Sequence, residues 1–323
     1  MMRNFILVIA FCLTNSLSSV KANLAYITNE KDNTVSVIDI KKKKVINTVK
    51  VGQRPRGIIM SNDGKLVLIC ASDDDRVEVR AAETLKLKYH LPSGPDPELF
   101  IFSPKNDVLY IANEDDAMVT VVDMKDKMII DDIPVGVEPE GMGLTNNGKI
   151  LVNTSETTNM AHFINTETLE IVENVLVDAR PRVAMFTPDD SEVWVSAEIG
   201  GTVKVIDPNS KQVTHTIRFE IPGVNEESIQ PVGVRHTKDG KYTFIALGPA
   251  NRIAVIDQKT KKLIKYLLVG QRVWQLALTP DEKTLLSTNG VSNDVSIINV
   301  DKLKVEKSLK VGRFPWGVAI SPN

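Results

Sequence analysis

Cysteine is almost missing from this 323-residue chain, which carries only Cys12 and Cys70. Cys12 lies in an apolar run near the start, so Cys70 is left alone in the body and no internal disulfide can staple the fold. Histidine is as scarce: His90, His162, His215 and His236 fall at unrelated positions, which gives no support to a histidine-built metal centre. No Cys-x-x-Cys-His motif attaches a haem, and no Gly-x-Ser-x-Gly turn presents a nucleophilic serine. Neither sign of charge dominates. With 39 basic and 41 acidic residues the net charge is −2, which argues against nucleic-acid binding through a global positive field.

Long apolar runs are lacking too. The longest near the start, Phe5 to Leu13, is too short to span a bilayer. It follows Arg3 and precedes Val20-Lys21-Ala22, the order of a secretory signal. Residues 1–22 read as a signal peptide cleaved near Ala22. A periplasmic or secreted chain would remain, residues 23–323, with no membrane span.

What the chain does have is a repeat. Seven strand endings, TVSVID to Asp39, RVEVRA to Ala81, VTVVD to Asp123, AHFIN to Asn165, VKVID to Asp207, IAVID to Asp257 and VSIIN to Asn299, are spaced 42, 42, 42, 42, 50 and 42 residues apart. A VG-x-x-P turn keeps the same beat at Pro55, Pro97, Pro139, Pro181, Pro231, Val273 and Pro315. Both markers share one eight-residue insertion, within Phe219 to Gln230. Between them the hydrophobicity alternates with period two, and turns such as Asn62-Asp63-Gly64-Lys65 break the strands. Units of four short antiparallel strands at this period are propeller blades, which bury both faces only between neighbours. The chain opens on a second-strand sequence, Leu24 to Thr28, and ends on a first-strand sequence, Trp316 to Ile320. The fold expected is therefore all-β, a seven-bladed propeller closed by pairing its last strand with its first three.

Within each unit, one column is apolar and its neighbour mostly polar: Ser36, Glu78, Thr120, His162, Lys204, Ala254 and Ser296. His162 reads there as an exposed strand residue. Cys70, inside Leu66-Val67-Leu68-Ile69-Cys70, reads as a buried, inert thiol, and Trp194 as core.

Tyr26-Ile27-Thr28-Asn29, Tyr110-Ile111-Ala112-Asn113, the VIDI-type strand ends and the VG-x-x-P turn resemble the YVTN-family propellers. Of these, the periplasmic propellers associated with PQQ-dependent alcohol catabolism are the most similar. The resemblance implies an accessory place in a periplasmic oxidation pathway. The adjacent cysteine pair and tryptophan pattern of the PQQ dehydrogenases are absent, so the resemblance implies a companion of such an enzyme.

The positions flanking the repeated proline vary while the turn around them repeats, which points to function. Before the proline stand Arg54, Asp96, Glu138, Arg180, Gln230, Arg272 and Phe314; after it stand Arg56, Glu98, Glu140, Arg182, Val232, Trp274 and Trp316. In a propeller this turn borders the channel mouth. Arg54, Arg56, Arg180, Arg182, Arg272, Trp274, Phe314 and Trp316 are the candidate binding residues, since stacked indoles and forked guanidiniums suit a small planar anion or a partner's acidic tip. The alternative is that the indoles plug the channel and the arginines pair with the acidic arc. Asp96, Glu98, Glu138 and Glu140 form that arc, and Glu98 with Glu140 is the candidate pair for a divalent cation. Acid-rich loops between second and third strands share this face and would steer a basic partner such as a small c-type cytochrome.

The leading expectation is a non-catalytic binding or scaffold propeller that requires no cofactor. PQQ or a divalent cation is a ligand to test, and a periplasmic dehydrogenase, a c-type cytochrome or a small anionic ligand is the expected partner. The alternatives are a metal-assisted lactonase or hydrolase, and a structural subunit of a periplasmic dehydrogenase.

Overall fold

The computed structural model describes residues 24–322; the expected signal peptide lies outside them. Seven four-stranded antiparallel sheets form a ring, and among the described residues only two short 3-10 turns are helical. Six blades take their strands in chain order, starting from Pro55–Met60, Pro97–Phe102, Pro139–Leu144, Pro181–Phe186, Val234–His236 and Val273–Leu278. The remaining blade closes the ring in the order Pro315–Ile320, Leu24–Asn29, Thr34–Asp39, Lys44–Lys50, with Tyr26 opposite Ala319 and Ile27 opposite Val318. Numbering this closure blade first, the others follow as the second to the seventh. No helix among the described residues is long and apolar enough to cross a membrane.

Period-two alternation explains the ring directly. In the second blade, Val67 and Ile69 pack on the first, whereas Leu68 and Cys70 pack on the third. Seven apolar clusters result, one at each blade–blade interface. Burial of both strand faces supplies the stability that no disulfide can. Cys70 is fully buried and burial pushes its thiol well up, which leaves it unreactive. Trp194 is fully buried in the interface of the fifth and sixth blades.

The innermost strands come closer than side chains allow. A Cβ on Gly317 would stand 2.4 Å from the carbonyl oxygen of Arg56 in the next blade, and Gly57 meets Glu98 in the same way. The segment that holds the eight-residue insertion also joins the fold: its Phe219, Ile221 and Ile229 are buried against the fifth and sixth blades.

One expectation needs correction. His162 is buried, not exposed, and its polar column is an internal hydrogen-bond ladder. Nδ1 of His162 lies 2.5 Å from Oδ1 of Asn174, and Nε2 lies 3.1 Å from Oγ of Ser155 and accepts from the Gly136 N–H. Asn113 donates to Thr120, which donates to Asp132, at the equivalent places one blade earlier. A polar side chain between two β-strands is buried whenever neighbouring blades cover both faces, so polarity did not mean exposure here.

Candidate functional site

The turn that ends in the repeated proline builds the channel mouth. At six blades the residue before the proline position has a left-handed backbone: Arg54, Asp96, Glu138, Arg180, Arg272 and Phe314, with φ from 46° to 59°. Such a conformation is costly without glycine. In five of them an Asn or Asp twenty-one residues earlier holds the peptide, accepting its N–H: Asn33 for Arg54 at 3.0 Å, Asp75 for Asp96, Asn159 for Arg180, Asn251 for Arg272 and Asn293 for Phe314. The turn is thus fixed by backbone and cap, and its side chain is left free to vary.

Those side chains form two charge networks. In the first, Arg54 pairs with Asp73 at 2.6 Å and with Asp96, while Arg56 pairs with Glu98 at 2.5 Å and reaches Glu30 and Glu114 at 3.8 and 4.0 Å. In the second, Arg182 contacts Glu140 at 2.8 Å, Glu156, and Glu198 at 3.6 Å. Arg180 adds contacts to Glu156 and Glu198 at 2.6 and 3.3 Å, and Arg272 reaches Glu198 at 2.9 Å. Five guanidiniums therefore face eight carboxylates. Two of those carboxylates resist ionisation: burial pushes Glu98 up to about 8 against the pull of Arg56, and holds Glu140 well above the usual carboxylate range despite Arg182.

The indoles are divided between the networks. Trp274 lies under Arg272 and Arg182, at 4.4 and 5.7 Å from ring centroid to guanidinium, and Trp316 lies 5.7 Å from Arg56. Gly290 makes room for Trp274, since a Cβ there would stand 2.6 Å from its Nε1. Trp316 is buried, and Phe314 sits exposed on the rim, its side chain outside both networks while its carbonyl accepts the Glu30 N–H.

Seven of the eight candidate binding residues are therefore at the mouth in two clusters, each arginine already opposite a carboxylate. Of the acidic arc, Asp96, Glu98 and Glu140 are in ion pairs, and Glu138 accepts from Thr157. Glu98 shares a group with Asp96 and Glu114 whose carboxylate oxygens lie within 4.8 Å of one another; Glu140 lies in the other network. Glu30, Glu114, Glu156 and Glu198 were legible only as acidic loops. Their signal was the period itself, because they occupy one repeat column that continues as Ser72, Gly248 and Gly290.

With this geometry in place, the comparisons are informative about fold. The family model of the cytochrome D1 haem domain matches residues 10–98, well under half of the chain. A chain of hydrazine synthase from Kuenenia stuttgartiensis superposes with a TM-score of 0.78 at 20% identity, covering 86% of this chain and 92% of that one. A Bacteroides fragilis protein provisionally described as a 6-phosphogluconolactonase gives 0.78 at 19% identity, covering 94% and 99%. A protein of unknown function from Desulfotomaculum acetoxidans gives 0.77 at 14%, covering 93% and 100%. No curated protein matches the chain. The chain is a seven-bladed β-propeller, and at these identities the likeness extends to the fold alone. A haem does not fit this mouth, whose donors are carboxylates and guanidiniums without an imidazole: His236 lies further down the channel, His162 is in the blade ladder, and His90 and His215 are on outer strands.

Proposed function

We propose that this chain is an exported, non-catalytic binding propeller whose mouth receives a positively charged surface of a partner protein. The observation that carries the reading is the charge count of the mouth. Eight carboxylates face five guanidiniums; even with Glu98 and Glu140 protonated six remain against five, so the arginines are neutralised and the unmatched charge is acidic. An incoming lysine or arginine would relieve that excess and let Glu98 ionise. A small anion, by contrast, would have to compete with carboxylates already in place. The resemblance to propellers of PQQ-linked alcohol oxidation indicates the kind of partner, a basic redox protein such as a small c-type cytochrome or the dehydrogenase it serves.

Titration with a basic c-type cytochrome at low and high salt tests this. Binding that weakens steeply with salt, and further in Asp73→Asn, is expected. Absence of binding at low salt overturns it.

A second reading has its own observation. The carboxylates of Asp96, Glu98 and Glu114 converge, and Oε2 of Glu98 is buried without a hydrogen-bond partner, as a hard cation of a metal-assisted lactonase would require. Stoichiometric calcium or magnesium binding with lactone turnover would favour it over the binding module.

A further inference from the structure

Below the mouth the channel changes character. Residues from the innermost strands of all seven blades enclose a cavity of about 170 Å³, walled by Ile59, Leu99, Ile101, Met142, Met185 and Trp316. It continues toward the opposite face through two wider spaces of about 380 and 530 Å³. Together they reach the size of small-molecule sites, which combine apolar walls with a few placed polar groups.

One charged side chain lines all three spaces, Arg235 of the sixth blade. Its repeat column reads Ile59, Ile101, Gly143, Met185, Ala277 and Ala319 elsewhere, so the guanidinium stands where other blades are apolar. It donates to the carbonyl of Val234 at 2.7 Å, and among the described residues no carboxylate comes within ion-pair distance. Half-buried in the channel with no counter-charge, it is pushed down to about 10 by the loss of solvation. The neighbours do not supply an anion. His236 is bonded to Thr243 and lies edge-on to Trp194, and the rim carboxylates Glu282 and Asp190 accept the N–H groups of Lys238 and Asn146.

An unpaired guanidinium in an apolar cavity is destabilising unless something binds it. We infer that Arg235 anchors an anion site in the channel, entered from the face opposite the mouth, for an amphipathic carboxylate. The carboxylate takes the guanidinium fork, and a short alkyl or aryl body lies against Ile59, Ile101, Met142 and Met185. This site is independent of the mouth, whose arginines are already matched.

Octanoate is the probe, titrated calorimetrically into the purified protein, with acetate and octanol as partial ligands. One octanoate per chain is expected, bound at least tenfold more tightly than either partial ligand. Arg235→Met is expected to weaken octanoate at least tenfold and, without ligand, to melt higher than the parent. No octanoate binding, unchanged binding in R235M, or a preference for acetate would overturn the assignment. If R235M fails to fold, R235K keeps a charge but loses the fork; it should bind octanoate more weakly, and equal affinity would equally overturn it.

Discussion

Two levels of one channel hold arginine in opposite ways. At the mouth, Arg182 is almost wholly buried among Glu140, Glu156 and Glu198; further down, Arg235 has a backbone carbonyl and apolar walls. The first is a closed arrangement, in which every guanidinium has been answered from within the chain. The second is open, and its missing partner must come from outside. A buried charge therefore reports on function only after its counter-charges have been found.

Removing each arginine is the strongest way to break this comparison, because the two variants should differ in sign. Arg182→Met leaves Glu140 without a guanidinium and removes one of those shared by Glu156 and Glu198, and is expected to lose about 3–5 kcal/mol in chemical denaturation. R235M should gain stability, as described above. If both variants lose similar stability, the two arginines are equivalent structural members and the contrast fails.

The acid excess at the mouth predicts a pH dependence of intermediate size. Glu98 moves from an ordinary 4.5 to about 8 in the folded chain, so the fold holds a proton that the unfolded chain releases. Its contribution is fully present below about 4.5 and is lost as pH rises through about 8, a fall of roughly a few kcal/mol. Melting curves from pH 5 to 9 measure it, and Glu98→Gln should flatten the slope. An unchanged slope would place the proton on another mouth carboxylate.

The smallest effect concerns the turn. Asn293→Ala removes the acceptor that holds Phe314 in its left-handed conformation, at an expected cost of about 1 kcal/mol, with Gly at position 314 restoring part of it. Because Phe314 lies outside both charge networks, partner binding should stay unchanged; a loss would bring the rim into the binding surface.

Much of this was legible before any coordinates. The 42-residue beat, the period-two columns and the strand sequences at the two ends define seven blades and the way they close, since each rests on local pattern. The turn positions were legible as a mouth because chemistry varied there on a constant frame. His162 was misplaced because a polar column looks alike whether water or a hydrogen-bond ladder satisfies it. Arg235 escaped notice because it lies four residues past the repeated proline, beyond the flanking positions, and one charge in a short strand looks like an ordinary solvated residue.

The sequence by itself determined the blade count, the ring closure, the core columns and which residues crowd the mouth. These follow from strand alternation and from the need to cover both faces of every sheet. Only the tertiary structure decided which charges meet. Arg182 reaches Glu156 and Glu198 through the stacking of two blades, and Arg235 is left alone because the blades around it bring no carboxylate within ion-pair distance. Ion pairing depends on distances of a few ångströms between segments far apart in the chain, and no repeat period encodes those distances.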